Sequence, residues 1–471
     1  MTALTRRGVL AGALSLPVAR GWAEQAPTGL AQRPPVRPSP SAEHLIARAG
    51  LPGTIGHALL DARTGALLDG GEAARPLPPA STMKVLTALY AMARLGGAYR
   101  FRTRVLRAGD TLILAGGGDP VLSTDDLAAL ADELVVTGQT SPARFLVWGG
   151  ALPRIAEIAP EQADHLAYNP AMSGMILNFN RVHLGWRPAD GGVTLRLEAR
   201  AAANSPRAYT ITAEAGDQAG LFEYAEAEGR ERWTVARTAL ARPGSRWLPV
   251  RQPELYAGDV FQTLCRAKGL ALPAPQIAPS LPASQELAGV DSPPLARILR
   301  DMLSFSTNLT AEVVGLHASG AADLAASASA MQAWLRGQGL GAGFHLADHS
   351  GLSGESRVTA EGLARAILSA EGASDLAGML KRNPLDDELG AIRGRTYRVE
   401  AKTGTLNFVS NLAGHVRGPT SQRAVFAILC VDGARHAETS GTERPGGARG
   451  WTRSAKTLQR QLLDGWAQRF L

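Results

Sequence analysis

The chain has 471 residues, 45% of them hydrophobic and 19% charged, which suits about three domains with sizeable cores and excludes a disordered chain. Lysine and arginine number 49 against 42 acids, and the resulting +7 is spread along the chain in no dense block, so a nucleic-acid partner has little support. Two cysteines, Cys265 and Cys430, exclude a disulfide scaffold and a Cys-rich zinc or iron–sulfur site, and both read as buried thiols rather than a bridge.

Residues 1–23 carry Arg6-Arg7, an apolar stretch to Ala19 and small residues at Gly21 and Ala23. This is the pattern of a secretory signal peptide, and Arg6-Arg7 followed by Val9-Leu10 resembles a twin-arginine signal. Pro17 and Arg20 interrupt the stretch, which is too short to cross a bilayer, and no other segment is long and apolar enough. Residues 24–41 are proline-rich and read as an extended tether. From Ala42 a short helix leads into an alternating run, Thr54–Asp61, which turns through Ala62–Gly65 into Ala66–Asp69 as a β-hairpin. A helix is expected from about Ser81 to Leu95. Val85, Leu86, Leu89, Met92 and Leu95 cover more than one stripe of it, so it belongs inside a domain.

Residues 101–282 read as a mostly β insertion, with strands around Arg104–Leu114, Ala143–Trp148, Val182–Trp186 and Val193–Ala199 and a helix over Glu254–Ala267. Helical spacing returns at Leu295, Ile298, Leu299, Met302 and Leu303. Ser304–Asn308 interrupts it, and a second helix carries Leu309, Val313 and Leu316. Strands follow at Arg398–Thr405, Phe408–Val416 and Arg423–Val431, before a last helix with Ala455, Leu458, Leu462 and Trp466 on one face. The expected architecture is an α/β (α+β) fold. In it, residues 42–100 and 283–471 make one domain, an antiparallel sheet flanked by helices, and residues 101–282 are inserted into it.

Three short motifs carry the chemistry. In Ser81-Thr82-Met83-Lys84 the hydroxyl and the amine are just under one helical turn apart and point the same way. A serine hydroxyl becomes a useful nucleophile when a base takes its proton, and a lysine can do so once burial lowers its pKa. Arginine cannot, because it keeps its proton in proteins. That gives weight to Lys84, one of only five lysines among the 49 basic residues, with Lys268, Lys381, Lys402 and Lys456. Ser306-Thr307-Asn308 falls in the helix break, where Asn308 alone would pass for a cap. In Lys402-Thr403-Gly404-Thr405 a lysine sits on a core strand, which is costly unless it faces a cleft. Gly404 there admits close backbone approach, and the hydroxyls of Thr403 and Thr405 can bind a carboxylate.

The order S-x-x-K, S-x-N, K-T-G is that of penicillin-binding proteins and class A β-lactamases. With Pro76–Lys84, Tyr99–Val105, Gly116–Pro120, Asn178–Leu184, Ser350–Ser353 and Ala401–Leu406, the chain resembles the peptidase S13 group. These are D-alanyl-D-alanine carboxypeptidase/endopeptidases of the penicillin-binding protein 4 type. The likeness runs over nearly the whole mature chain and includes a large insertion between the first two motifs, here within residues 85–305.

The resemblance implies the serine β-lactamase/DD-peptidase fold and a periplasmic, exported enzyme acting on peptidoglycan stem peptides that end in D-Ala-D-Ala. β-Lactams are implied as covalent inhibitors. It implies that Ser81 attacks the penultimate D-alanine carbonyl, with Lys84 as base and the N–H groups of Ser81 and Thr405 as oxyanion hole. Ser306 would pass a proton to the departing amine and Asn308 would hold the peptide amide. Lys402, Thr403 and Thr405, around Gly404, would bind the terminal carboxylate. No cofactor or metal is implied; His345-x-x-Asp348-His349 lacks a convincing further ligand, and Gly116–Pro120 reads as a turn rather than a phosphate loop.

The family usually carries a glycine where His349 stands, and Lys381–Arg395 matches its pattern poorly. Two other readings keep a place: a β-lactamase or esterase using the same serine, and a non-catalytic peptidoglycan-binding protein. No deacylating Glu-x-x-x-Asn element of the class A kind is evident between the first two motifs.

Overall fold

The computed structural model describes residues 39–190, 192–227, 229–370, 375–419 and 422–471. The signal segment expected at 1–23, and the tether expected at 24–41 except for its last three residues, lie outside the described residues. The centre is a six-stranded sheet in the order Lys381–Arg382, Arg398–Leu406, Val409–Arg417, Arg423–Val431, Thr54–Asp61 and Leu67–Gly71. Every pairing in it is antiparallel. The first and last strands of the described residues therefore lie side by side, Thr54 opposite Val431 and Asp61 opposite Ala424.

Both faces of this sheet are covered, which is why Arg423–Val431 reads as an almost unbroken apolar run. Successive side chains still alternate. Val425, Ala427 and Leu429 join one core with Leu60, Val85, Leu86, Leu299, Val314 and Ile367. Leu60 comes from the neighbouring strand Thr54–Asp61, and the other partners come from the helices Met83–Leu95, Leu295–Phe305, Asn308–Ser319 and Ala360–Ser369. Phe426, Ile428 and Cys430 join the opposite core with Leu45, Leu458, Leu462 and Trp466, from helices Ala42–Ala49 and Ala448–Phe470. The result is helix, sheet and helix in three layers.

Among the described residues between Met83–Leu95 and Leu295–Phe305 there are three more sheets. A five-stranded mixed sheet runs Pro275–Ile277, Arg144–Trp148, Thr111–Ala115, Arg102–Ala108 and Gln285–Asp291, the last strand lying beyond residue 282. The helices Thr124–Val136 and Pro253–Ala267 share its core through Leu127, Leu130, Val260 and Phe261. Two three-stranded sheets complete the region. The run expected as one strand over Arg104–Leu114 is a hairpin, Arg102–Ala108 with Thr111–Ala115, turned at Gly109 with φ of 58°. Glycine takes that left-handed conformation without a side-chain penalty. Cys265 and Cys430 are free and buried. No helix among the described residues is long and apolar enough to cross a membrane.

Trp466 closes the core beneath the terminal helix: it is 1% exposed, and its indole N–H donates to Asp69 Oδ2 at 2.8 Å. Trp466→Ala is expected to destabilise the protein by about 3–5 kcal/mol, the usual loss for a large buried aromatic, seen as a lower denaturation midpoint in urea.

Candidate active site

The first motif lies at a sharp entry into the helix Met83–Leu95. Pro78 and Pro79 end the extended segment, and Ala80–Thr82 forms a single 3₁₀ turn ahead of the α-helix that was expected to start at Ser81. Ala80 holds φ of 46°, a left-handed conformation that a residue with a Cβ adopts only under tertiary constraint. Two neighbours impose it. Gly351 packs so closely that a Cβ on it would lie 1.9 Å from the Ala80 carbonyl oxygen. On the other side a Cβ on Gly404 would sit 2.8 Å from Pro79 O and 3.1 Å from the nitrogens of Ser81 and Thr82.

Gly404 and Asn411 are cross-strand partners. The buried Asn411 amide donates to Pro78 O at 2.8 Å and Pro79 O at 2.9 Å, so the pair forms a cradle under the serine turn. Sequence reasoning found the glycine and missed the asparagine. Its signal was a lone amide inside the apolar strand Val409–Arg417.

Lys84 is fully buried, and its ammonium has three donors to satisfy. Its Nζ donates to Ser81 Oγ at 3.0 Å, Asn308 Oδ1 at 2.8 Å and Ser350 O at 2.8 Å. Loss of hydration pushes its pKa down to about 8, against the opposing pull of Asp348 and Glu312. Asn308 opens the helix Asn308–Ser319 and also donates through Nδ2 to Tyr168 O, 3.2 Å away in the inserted region. Ser306 sits at the break as expected, with φ of 61° at the end of Leu295–Phe305.

Lys402 Nζ donates to Ser306 Oγ at 2.9 Å and to Thr403 O at 2.8 Å. Burial pushes the Lys402 pKa well below its usual value, and the nearby cations Lys84 and Lys381 push the same way. The strand bearing it has an open flank, because Lys381–Arg382 pairs only with Glu400 and Ala401. Among the described residues no strand pairs with Lys402–Leu406 on that side, and an unpaired strand edge is the kind of surface to which an extended ligand can add.

The structure brings Ser81, Ser306, Asn308 and Thr405 to the wall of one cleft of about 1260 Å³. Lys84 stands behind the serine, Lys402 behind Ser306, and Gly404 beneath the turn; Thr403 is half-buried and offers its carbonyl to Lys402. The inserted region supplies Glu161 and Tyr168 to the cleft, and Arg449, Arg453 and Lys456 face it from the last helix.

Neither departure from the resemblance disturbs this arrangement. The His349 ring is buried away from the cleft, stacked on Tyr90 at 6.4 Å and bonded through Nε2 to Ser327 Oγ at 2.7 Å. It occupies the space over Gly315, where a Cβ would lie 2.3 Å from the ring. Of Lys381–Arg395, only Glu388 reaches the cleft; Arg395 and Arg460 both hold Asp386.

The D-Ala-D-Ala carboxypeptidase 3 (S13) family matches residues 42–452 of the chain. A D-alanyl-D-alanine carboxypeptidase of Actinomadura sp. (strain R39) is 29% identical over 463 residues, 84% of this chain and 83% of that protein. A carboxypeptidase of Mycobacterium tuberculosis is 26% identical, over 75% of this chain and 71% of the other. The crystal structure of penicillin-binding protein 4 from Haemophilus influenzae shares the fold, with a TM-score of 0.71 at 19% identity over 90% of this chain and 99% of that one.

Filling the contact beneath the serine turn tests its role. Gly404→Ala is expected to destabilise by about 1–3 kcal/mol through overpacking and to slow labelling of the protein by a fluorescent penicillin, both measured on the same purified sample.

Proposed function

The chain belongs to the D-Ala-D-Ala carboxypeptidase 3 (S13) family, and from that premise we propose how its own residues carry out the reaction. The observation that carries the reading is a fully buried lysine amine 3.0 Å from the Ser81 hydroxyl, with its pKa brought down to about 8. A neutral Lys84 takes the Ser81 proton as Oγ attacks the carbonyl of the penultimate D-alanine. The N–H groups of Ser81 and Thr405 receive the developing oxyanion, a contribution of several kcal/mol where such donors are preorganised. The intermediate collapses to an acyl-enzyme as the C–N bond breaks. Ser306, bonded to Lys402, delivers its proton to the departing amine and is reprotonated by the ammonium of Lys84, which returns to the neutral form. Asn308 holds the peptide amide, and Lys402, Thr403 and Thr405 hold the terminal carboxylate along the open strand edge. Water then attacks the ester, releasing the shortened peptide and restoring Ser81.

One acyl-enzyme serves two outcomes. A free D-alanine leaving group makes the enzyme a carboxypeptidase, and the amine of a cross-linked peptide makes it a DD-endopeptidase. The same geometry suits acylation by β-lactams, which present a carbonyl and a carboxylate in the manner of D-Ala-D-Ala. Peptidoglycan stem peptides are the proposed substrate. Residues 1–23 are proposed to direct export to the periplasm, by a twin-arginine or general signal, and residues 101–282 are proposed to form the inserted domain.

Intact-protein mass measurement after brief exposure to benzylpenicillin tests the reading, with Ser81→Ala in parallel. A lasting adduct on the wild type alone is the expected result. Drug consumed with no adduct would instead indicate a β-lactamase, and intact drug with no adduct would remove Ser81 as an activated nucleophile. The sign of the pH dependence also follows. The reactive form of Lys84 is the neutral amine, so the acylation rate is expected to climb with pH through about 8. A stopped-flow series across that value checks it.

A further inference from the structure

We propose that Glu312 is a positioning residue of the acylation machinery, holding the Ser350 carbonyl against Lys84 and offsetting the positive charge that Lys84 gains on taking the Ser81 proton. This rests on the reading of Ser81 and Lys84 given above. Glu312 lies four residues after Asn308 on the helix Asn308–Ser319, so the two side chains share a face. Asn308 reaches Lys84 directly at 2.8 Å. Glu312 reaches it through the backbone: Oε2 accepts from His349 N at 3.0 Å, Oε1 accepts from Ser350 N at 2.8 Å, and Ser350 O accepts from Lys84 Nζ at 2.8 Å.

Glu312 has no exposed surface, and a buried carboxylate with both oxygens on backbone N–H groups needs a reason to be there. A glutamine has one acceptor oxygen and would turn an amide donor toward one of those N–H groups. The turn it grips also carries Gly351, the residue pressed against Ala80 beneath the nucleophile. One carboxylate therefore fixes both the third acceptor of Lys84 and the floor of the serine turn. Asp348 braces the same turn, accepting from Ser350 Oγ at 3.1 Å, Ser353 N at 3.0 Å and Ser356 Oγ at 2.8 Å.

The electrostatics point the same way. Proton transfer from Ser81 creates an ammonium with no access to water, and Glu312 is one of two acids acting on it, the other being Asp348. Lys402, itself pushed down by burial, is the basic group that acts on Lys84. Burial and Asp348 push the Glu312 carboxyl up, while its two N–H donors and Lys84 favour the anion. His349, pushed down to about 3, and Tyr90, pushed up by burial, stay neutral beside them through neutral pH. Removing the Glu312 charge lowers the proton affinity of Lys84, so the reactive neutral amine is reached at lower pH.

The test follows the acylation rate of the full chain by benzylpenicillin against pH in wild type, Glu312→Gln and Glu312→Asp. Glu312→Gln is expected to slow acylation about 10- to 100-fold, as a misplaced catalytic group does, and to move the acid limb of the profile down by about one unit. Glu312→Asp keeps the charge and is expected to leave the limb in place while recovering part of the rate. A merely structural role would leave the limb unmoved in both. A folded Glu312→Gln with wild-type rate and limb overturns the proposal, as does equal loss of rate in both variants with no movement of the limb. Should Glu312→Gln fail to fold, Glu312→Met, an uncharged replacement of similar volume, is read in its place: a limb moved down by about one unit supports the proposal and an unmoved limb overturns it. A wild-type chain that forms no Ser81 adduct overturns the nucleophile assignment, and this inference with it.

Discussion

Lys84 carries its amine to a place that water does not reach, and the rest of the molecule is arranged around keeping it there. Each of its three acceptors comes from a different part of the chain: Ser81 from the turn that leads into its own helix, Asn308 from the helix Asn308–Ser319, and the Ser350 carbonyl from a turn later still. An unpartnered buried ammonium would be heavily penalised, so the site exists only when all three segments are docked. The second lysine follows the same logic, since Lys402 is buried against Ser306 and its own strand.

The central sheet makes that docking possible. With the first strand paired to the last and helices on both faces, its strands are held from two sides, and the serine turn packs on a rigid surface. Among the described residues no strand pairs with the outer flank of Lys402–Leu406, and its end, Thr405 and Leu406, lines the cleft with Ser81. The glycines at the meeting point, Gly351 and Gly404, are there because backbones approach closer than any Cβ allows. The inserted region is also part of this arrangement: Tyr168 holds the Asn308 amide through its carbonyl, and Glu161 accepts from Gly354 N at 3.3 Å.

The departures from the family pattern are accommodated in packing rather than in chemistry. His349 fits because residue 315, across from it on the helix Asn308–Ser319, is a glycine that leaves room for the ring. The altered segment Lys381–Arg395 is tied down mostly by Arg395 and Arg460, and Lys381 is the part of it that comes near Lys402.

Local pattern alone determined the alternating strands, the amphipathic helices and the order of the three motifs. Periodicity and the placing of Ser81 and Lys84 within one turn depend only on neighbours along the chain. The long inserted stretch was less legible: the Gly109 turn that splits one expected strand into a hairpin, and the strands of 211–236, lie in sequence whose polarity alternates weakly. At the site, sequence found the residues that carry distinctive chemistry and missed those that act by position. Asn411, Glu312, Asp348 and the carbonyls of Ser350 and Tyr168 are ordinary groups until distant elements bring them against a lysine or a serine turn. Spacing says which way a side chain faces along its own element, but burial, the acceptors of an amine and the resulting pKa depend on which elements meet. For Lys84 that meeting joins residues 84, 308 and 350, and only the tertiary structure decides it.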